Sequence, residues 1–462
     1  MVQLLLLGVT IVATQHLSVA AFGTYALASL FLILTRALFY VGPYEYQLKA
    51  QPEQGLSSAC FWANIALACF SSLCLAAVYF IAPHVFATRD VSMLVALLTP
   101  SLFLIAATSW YEALLLRSMR VRRYYLSTLL GDTAGAAVAV VLLLDGLGVT
   151  SLVVQNYVRL FVLLTIYVFS LPERPKLRVR VKQVWDVLRW SRARYAAVLL
   201  NFTSAYGADI VLGALLSPAA TGFYRASSRI VSSLTDLFAQ PLQKIAQTNL
   251  SARYVRSLEM GTSWLTMLSG VGTVAWASLL TLAFLAEDIV PFVLGDKWAP
   301  AVPIVIVFCI VKCFSLLDAV TTAFLVCHDR QATMLRVQVC VAVSVVVLAV
   351  VCAPLGATAV AAAVGVACVS MSVIYGAMVI RLSRASRDAL ADFARTSLPP
   401  ILSVALGLML LDMLHPQLQG LEAIAVGGGV AGFAFALGMF SVRYRMLTAI
   451  GSLGHVVQGG QA

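Results

Sequence analysis

The sequence predicts an all-α polytopic membrane protein with about 14 transmembrane helices: two pseudo-symmetric six-helix lobes followed by two additional C-terminal helices. Three observations lead there. Of 462 residues, 61% are hydrophobic and only 11% charged, with a mean hydropathy of +0.93. A soluble domain is about 45–50% apolar and about 25% charged, so this chain lacks the polar side chains to cover a water-exposed surface. Apolar runs of spanning length recur from end to end. The 31 Lys and Arg alternate between the connections as a polytopic topology requires. A cytosolic enzyme, a secreted disulfide scaffold and a disordered chain are excluded on composition.

The candidate spans are 1–14, 22–42, 59–81, 91–115, 126–145, 151–170, 195–216, 222–243, 261–284, 300–326, 334–352, 357–380, 397–413 and 421–441. The first is short, its apolar core running only from Leu4 to Ala13. It reads as a truncated helix or a misplaced start. A cleaved signal peptide is the weaker alternative, because no basic n-region or A-x-A site is present. With the N-terminus in the cytoplasm, 24 of the 31 basic residues fall on inward segments. Only Arg89 and Lys297 fall outside, and Arg36, Arg159, Arg225, Arg229 and Lys312 lie within spans. This asymmetry implies an even number of spans and two cytoplasmic termini. It also explains the +11 net charge without nucleic acid.

The expected organisation is an N-terminal lobe over 1–170, a basic cytoplasmic linker over 171–194, a C-terminal lobe over 195–380 and two further spans with a short tail over 381–462. In the linker, Val184, Trp185 and Leu188 form an apolar stripe opposite basic residues, as in an interfacial helix on the inner leaflet. A plain linker that also attracts anionic lipid is the alternative.

An internal repeat supports the two lobes. Residues 17–39, LSVAAFGTYALASLFLILTRALF, align without a gap to 216–238, LSPAATGFYRASSRIVSSLTDLF, with nine identities in 23 positions. Both copies are a short outward turn followed by an inward-going span. Parallel repeats related by an axis along the membrane normal are a transporter architecture, with the substrate held between the halves.

Charges at membrane depth are expensive and face a cavity or a partner. Arg225 and Arg229 lie one turn apart on the eighth span. With Arg36, Arg159 and Lys312 they outnumber Asp209, Asp236 and Asp318, so the sequence predicts a cationic cavity for an anionic substrate. Two guanidinium groups one turn apart suit a diphosphate, whose oxygens arginine grips in bidentate fashion. Intrahelical pairing of Arg229 with Asp236, or of Lys312 with Asp318, is the structural alternative. The three aspartates are also candidates for ion coupling. No P-loop, G-x-G-x-x-G or nucleophile elbow appears, so no enzymatic activity and no cofactor are expected. The nine Cys and five His form no metal-ligand pattern. Energy would come from an H+ or Na+ gradient or the membrane potential. The largest outward loop, about 285–299, carries Glu287, Asp288 and Asp296; a membrane glycosyltransferase would need a larger one.

Three segments carry a family resemblance: LSVAAFGTYAL (17–27), LSPAATGFYRASSRIVSSLTDLFAQPLQKIA (216–246), with a Leu-x-Pro-x-x-x-Gly-x-Tyr entry, and LGDKWAPAVPIV (294–305), with Gly-x-x-Trp-x-x-Ala. With these the chain resembles the polysaccharide (O-antigen and exopolysaccharide) repeat-unit flippases, a family of the multidrug/oligosaccharidyl-lipid/polysaccharide exporter superfamily. It departs from the pattern at Val19, where the second copy has Pro218, and in its short first span. The resemblance implies a central cationic cavity and export of undecaprenyl-diphosphate-linked oligosaccharide across a bacterial inner membrane. The partners it implies are membrane lipids and the polysaccharide polymerase and glycosyltransferase machinery. A multidrug exporter of the same superfamily is the alternative, and it would favour an acidic cavity. Trp298 reads as an interfacial anchor at a helix start.

Overall fold

The computed structural model describes residues 2–50, 55–86, 88–177, 179–256, 258–383 and 386–458. Among them every regular element is helical. The helices in chain order are α1 (Val2–His16), α2 (Val19–Phe39), α3 (Glu45–Lys49), α4 (Leu56–Val85), α5 (Asp90–Leu98), α6 (Ser101–Arg117), α7 (Val121–Leu144), α8 (Thr150–Ser170) and α9 (Val181–Leu215). They continue with α10 (Pro218–Val255), α11 (Gly261–Phe284), α12 (Ala286–Leu294), α13 (Val302–Ser315), α14 (Asp318–Cys327), α15 (Gln331–Cys352), α16 (Ala357–Ser383), α17 (Arg387–Leu414) and α18 (Gly420–Gln458). Twelve segments of the described residues are long and apolar enough to cross a membrane. The short α1 and the charge-bearing α10 complete the fourteen read from the sequence.

Three spans are broken, each for a visible reason. The second bends between α2 and α3 through a π-turn at Tyr40–Tyr44, where Gly42 leaves helical geometry and Pro43 supplies no N–H. The fourth breaks at Pro100 between α5 and α6. The tenth breaks at Leu316–Leu317, and Asp318 opens α14 at the positive end of its helix.

The repeat is real at atomic level. Ser18 caps α2 by accepting the Ala21 N–H at 3.2 Å, and its counterpart Ser217 accepts the Ala220 N–H at 3.2 Å. The two first turns then cross at their glycines. A Cβ on Gly23 would lie 1.7 Å from the Pro218 carbonyl oxygen, and one on Gly222 2.6 Å from that of Val19. A second correspondence was invisible to the alignment. α6 and α14 both end on a non-glycine residue in the left-handed region, Met119 and Asp329, each with φ 55°. The same bonds close both turns: Met119 N–H to Leu116 and Arg120 N–H to Leu115, against Asp329 N–H to Val326 and Arg330 N–H to Leu325.

The chain divides into two compact units, Met1–Arg225 and Ala226–Ala462. The border falls inside α10, beyond the basic 171–194 segment, because α9 packs along α2, α4 and the π-turn. The basic segment is itself tied to α4: the Lys176 N–H donates to Ser58 Oγ at 3.0 Å, and Trp62 Nε1 donates to the Lys176 carbonyl at 2.9 Å. Its helical part runs without a break into the seventh span. The stripe read from the sequence needs one correction. Val184 and Leu188 pack into a core with Val187, Cys60, Trp110 and Leu171, whereas Trp185 is 64% exposed. Val187 takes its place, since 184, 187, 188 and 191 share one helical face and 185 stands about 100° away. Trp298 is also corrected: it is fully buried in the 3₁₀ turn before α13 rather than anchored at the interface.

Gly23→Ala is expected to cost about 1–3 kcal/mol through overpacking against backbone that cannot yield. Gly376→Ala, where a Cβ meets open space, should be neutral or slightly stabilising. Thermal melting of the two purified variants in detergent makes the comparison.

Candidate functional site

The N-terminal unit encloses a cavity of about 300 Å³ among α2, α6, α7 and α8. Its apolar walls are Leu32, Ile33, Ile105, Leu160 and Leu163, and its polar groups are Arg36, Tyr40, Thr108, Glu112, Tyr124, Thr128, Asn156, Arg159 and Tyr167. Such polar convergence inside a membrane bundle makes this cavity the candidate ligand site. Each polar group has a structural reason for its place. Arg36 lies one turn before the π-turn, with its guanidinium 5.4 Å from the Tyr40 ring. Glu112, 8% exposed, accepts hydrogen bonds from Tyr40 Oη at 2.6 Å and Tyr44 Oη at 3.3 Å. The π-turn carries both tyrosines and so aims them at one carboxylate. Arg159 Nε donates to Asp132 Oδ1, and Asp132 is almost fully buried. The Asn156 amide nitrogen is buried with no protein partner.

Two of the five cations predicted to line a cavity, Arg36 and Arg159, come together here. The expected excess of positive charge does not. Arg36 and Arg159 are equalled in number by Glu112 and Asp132, of which only Arg159 and Asp132 are ion-paired, so the site is charge-balanced. Arg225 is matched as well, with Nη1 3.7 Å from Asp209 Oδ2 and its guanidinium 4.4 Å above the Tyr206 ring. Asp209 is completely buried. The physical reason is that a guanidinium in hydrocarbon needs a counter-charge. The rule that singled out the cations applies equally to Glu112 and Asp132, which interrupt the apolar runs 91–115 and 126–145. Those two were the readable signal that the sequence analysis passed over.

In the C-terminal unit the remaining candidates are dispersed. Arg229 and Asp236 lie along α10, exposed and half-buried respectively. Lys312 on α13 and Asp318 on α14 form no ion pair within 4 Å; instead Ser372 Oγ of α16 donates to Asp318 Oδ2 at 2.8 Å. Asp318 Oδ1 is buried with no hydrogen-bond partner. Glu287, Asp288 and Asp296 line a cleft of about 690 Å³ with Asp412 and His415. Asp288 Oδ1 accepts the Gly420 N–H at 2.7 Å and so anchors the start of α18.

A multi-pass helical bundle built on a repeat, with a polar cavity inside one unit, defines the class: a polytopic integral membrane protein. Residues 14–303 match the family described as polysaccharide biosynthesis protein, and the chain belongs to that family. It is 25% identical over 250 residues to the succinoglycan biosynthesis transport protein ExoT of Rhizobium meliloti (strain 1021), a match covering 53% of this chain and 49% of that protein. The alignment thus spans about half the length of the relative. In fold the chain is similar to the lipid II flippase MurJ in an inward closed conformation, with TM-score 0.75, 13% identity and coverage of 97% and 98% of the two chains. It is also similar to an inward-facing multidrug resistance MATE family transporter, with TM-score 0.63, 13% identity and coverage of 84% and 96%. The relative is named as a transport protein, and the two structural neighbours as a flippase and a transporter.

Asp132→Asn leaves Arg159 without its counter-charge, and the expected cost is about 3 kcal/mol. Asp132→Asn/Arg159→Gln should recover most of it. A double-mutant cycle read by thermal melting gives the coupling; additive losses would mean that the pair is not energetically linked.

Proposed function

We propose that this protein is a flippase for undecaprenyl-diphosphate-linked oligosaccharide repeat units. It would work by alternating access in a bacterial inner membrane, with both termini cytoplasmic, for O-antigen, capsule or exopolysaccharide biosynthesis. The observation that carries the reading is the charge-balanced, hydrogen-bond-rich cavity of the N-terminal unit. An oligosaccharide presents hydroxyl groups, which need acceptors and donors together. Glu112 supplies the acceptor, and Asn156, Tyr124 and Arg36 supply donors. Among the described residues Arg36 makes no ion pair within 4 Å, which supports it as the guanidinium that would take a phosphate oxygen. Arg225 and Arg229 on α10 are the second cationic position, Arg225 acting once a diphosphate competes with Asp209. Family membership and the names of ExoT and MurJ support a lipid-linked substrate. The polysaccharide polymerase and glycosyltransferase machinery would consume and supply it.

The fold shared with a MATE transporter supports a second reading, a cation-coupled multidrug exporter. An organic cation calls for net negative charge, which this cavity lacks. Asp209 is already ion-paired to Arg225, so Asp318, with one carboxylate oxygen free of hydrogen bonds and no ion pair among the described residues, is the better candidate of the two to take a coupling cation.

The test is a deletion strain assayed for lipid-linked repeat units by leaflet. Inner-leaflet accumulation is expected, rescued by wild type but at least tenfold less by Arg36→Gln or Arg225→Gln/Arg229→Gln at equal expression. Full rescue by both variants would remove these residues from the substrate path. Drug hypersensitivity with normal glycan would favour the exporter.

A further inference from the structure

A different surface lies at the start of α9, the end that the charge asymmetry of the sequence assigns to the cytoplasm, and the role inferred for this face rests on that orientation. One face of this helix is packed: Val184, Val187, Leu188 and Ser191 are buried or half-buried against α4 and α6. The opposite face is open. Lys182, Trp185, Arg189 and Arg192 follow one another at three- and four-residue steps and are all exposed. Asp186 is the one acid on the exposed side of the helix, and Val181, 82% exposed, extends the apolar part of the face.

The height of this face is set by its packed side. Val187 shares a core with Cys60 at the start of α4, Leu115 at the end of α6 and Leu171 just after α8. Those are the last apolar layers before the cytoplasmic ends of three spans. Trp185 and Arg189, two residues to either side of Val187, therefore stand within about 3 Å of that level along the axis. This is where the hydrocarbon gives way to headgroups. A tryptophan with cations a turn away on both sides matches that boundary: the ring lies along the ester region and the cations meet phosphates. The helix cannot easily turn this face elsewhere. Arg194 is ion-paired to Glu45 and lies 4.1 Å from the Trp190 ring, and Trp190 meets Tyr46 edge-on at 5.1 Å.

We propose that this face is a binding site for anionic phospholipid of the cytoplasmic leaflet, with Lys182, Arg189 and Arg192 holding headgroup phosphates and Trp185 packed among the chains. The occupant follows from charge: the open face carries three cations and one acid, at the level where a leaflet presents its phosphates.

The full-length protein in nanodiscs tests it, with phosphatidylcholine alone or doped with phosphatidylglycerol, each lipid in turn carrying bromine on its chains. The Trp185 emission is isolated as the difference between wild type and Trp185→Phe. Brominated phosphatidylglycerol should quench it more than brominated phosphatidylcholine at equal bromine content, and high salt should abolish the excess. In Lys182→Gln/Arg189→Gln/Arg192→Gln the excess should vanish. Retention of phosphatidylglycerol by native mass spectrometry should weaken on the order of a hundredfold, three cations at about 1 kcal/mol each. Equal quenching by the two lipids overturns the proposal. So does a Trp185 signal reached by aqueous iodide but not by bromine, which would make the face a dock for a soluble partner. The salt arm uses wild type alone, so a triple variant that fails to fold does not spare the proposal.

Discussion

Within a bilayer there is no water to solvate an ion, and this constraint orders the interior of the protein. Every guanidinium given a described ion pair inside the N-terminal unit's spans meets a buried carboxylate: Arg159 with Asp132, Arg225 with Asp209. Glu112 is satisfied differently, by tyrosine hydroxyls rather than a cation. That difference leaves Arg36 beside a carboxylate already held by two phenols, with its guanidinium over the Tyr40 ring instead of locked into an ion pair. The polar cavity exists because the bundle tolerates charges only where they are compensated, and compensation by neutral phenols keeps a positive group available.

Fold class and the approximate number of spans were legible because composition and the lengths of apolar runs are properties of the whole chain, insensitive to any single contact. The repeat was legible where identities survive, at Ser18/Ser217 and Gly23/Gly222, because a cap and a backbone crossing admit few residue types. It was not legible at Met119 and Asp329, where the same left-handed turn is built from unrelated side chains. A turn held by backbone hydrogen bonds leaves little imprint on sequence.

The candidate site was half legible. An ionisable residue within an apolar run is conspicuous, and Arg36 and Arg159 were found that way. Their partners were not, because the pairs run between helices: Asp132 and Arg159 are 27 positions apart, Tyr40 and Glu112 are 72. Sequence spacing suggested pairs within one span, Lys312 with Asp318 among them, yet Asp318 is hydrogen-bonded to Ser372 of α16 rather than ion-paired to Lys312. Trp185 shows the same limit on a smaller scale, since one residue's difference in phase decided whether the ring met protein or surroundings.

The π-turn at Tyr40–Tyr44 holds one more residue than an α-helical turn would. Everything after it is rotated by roughly a quarter to a third of a revolution relative to a regular helix. This is why a single span can serve two neighbours, with Tyr40 and Tyr44 directed to Glu112 and Glu45 and Tyr46 directed to α9. Deleting one residue at this point would heal the helix and give up that division of labour, so in this span the irregularity and the side chains it sorts stand or fall together.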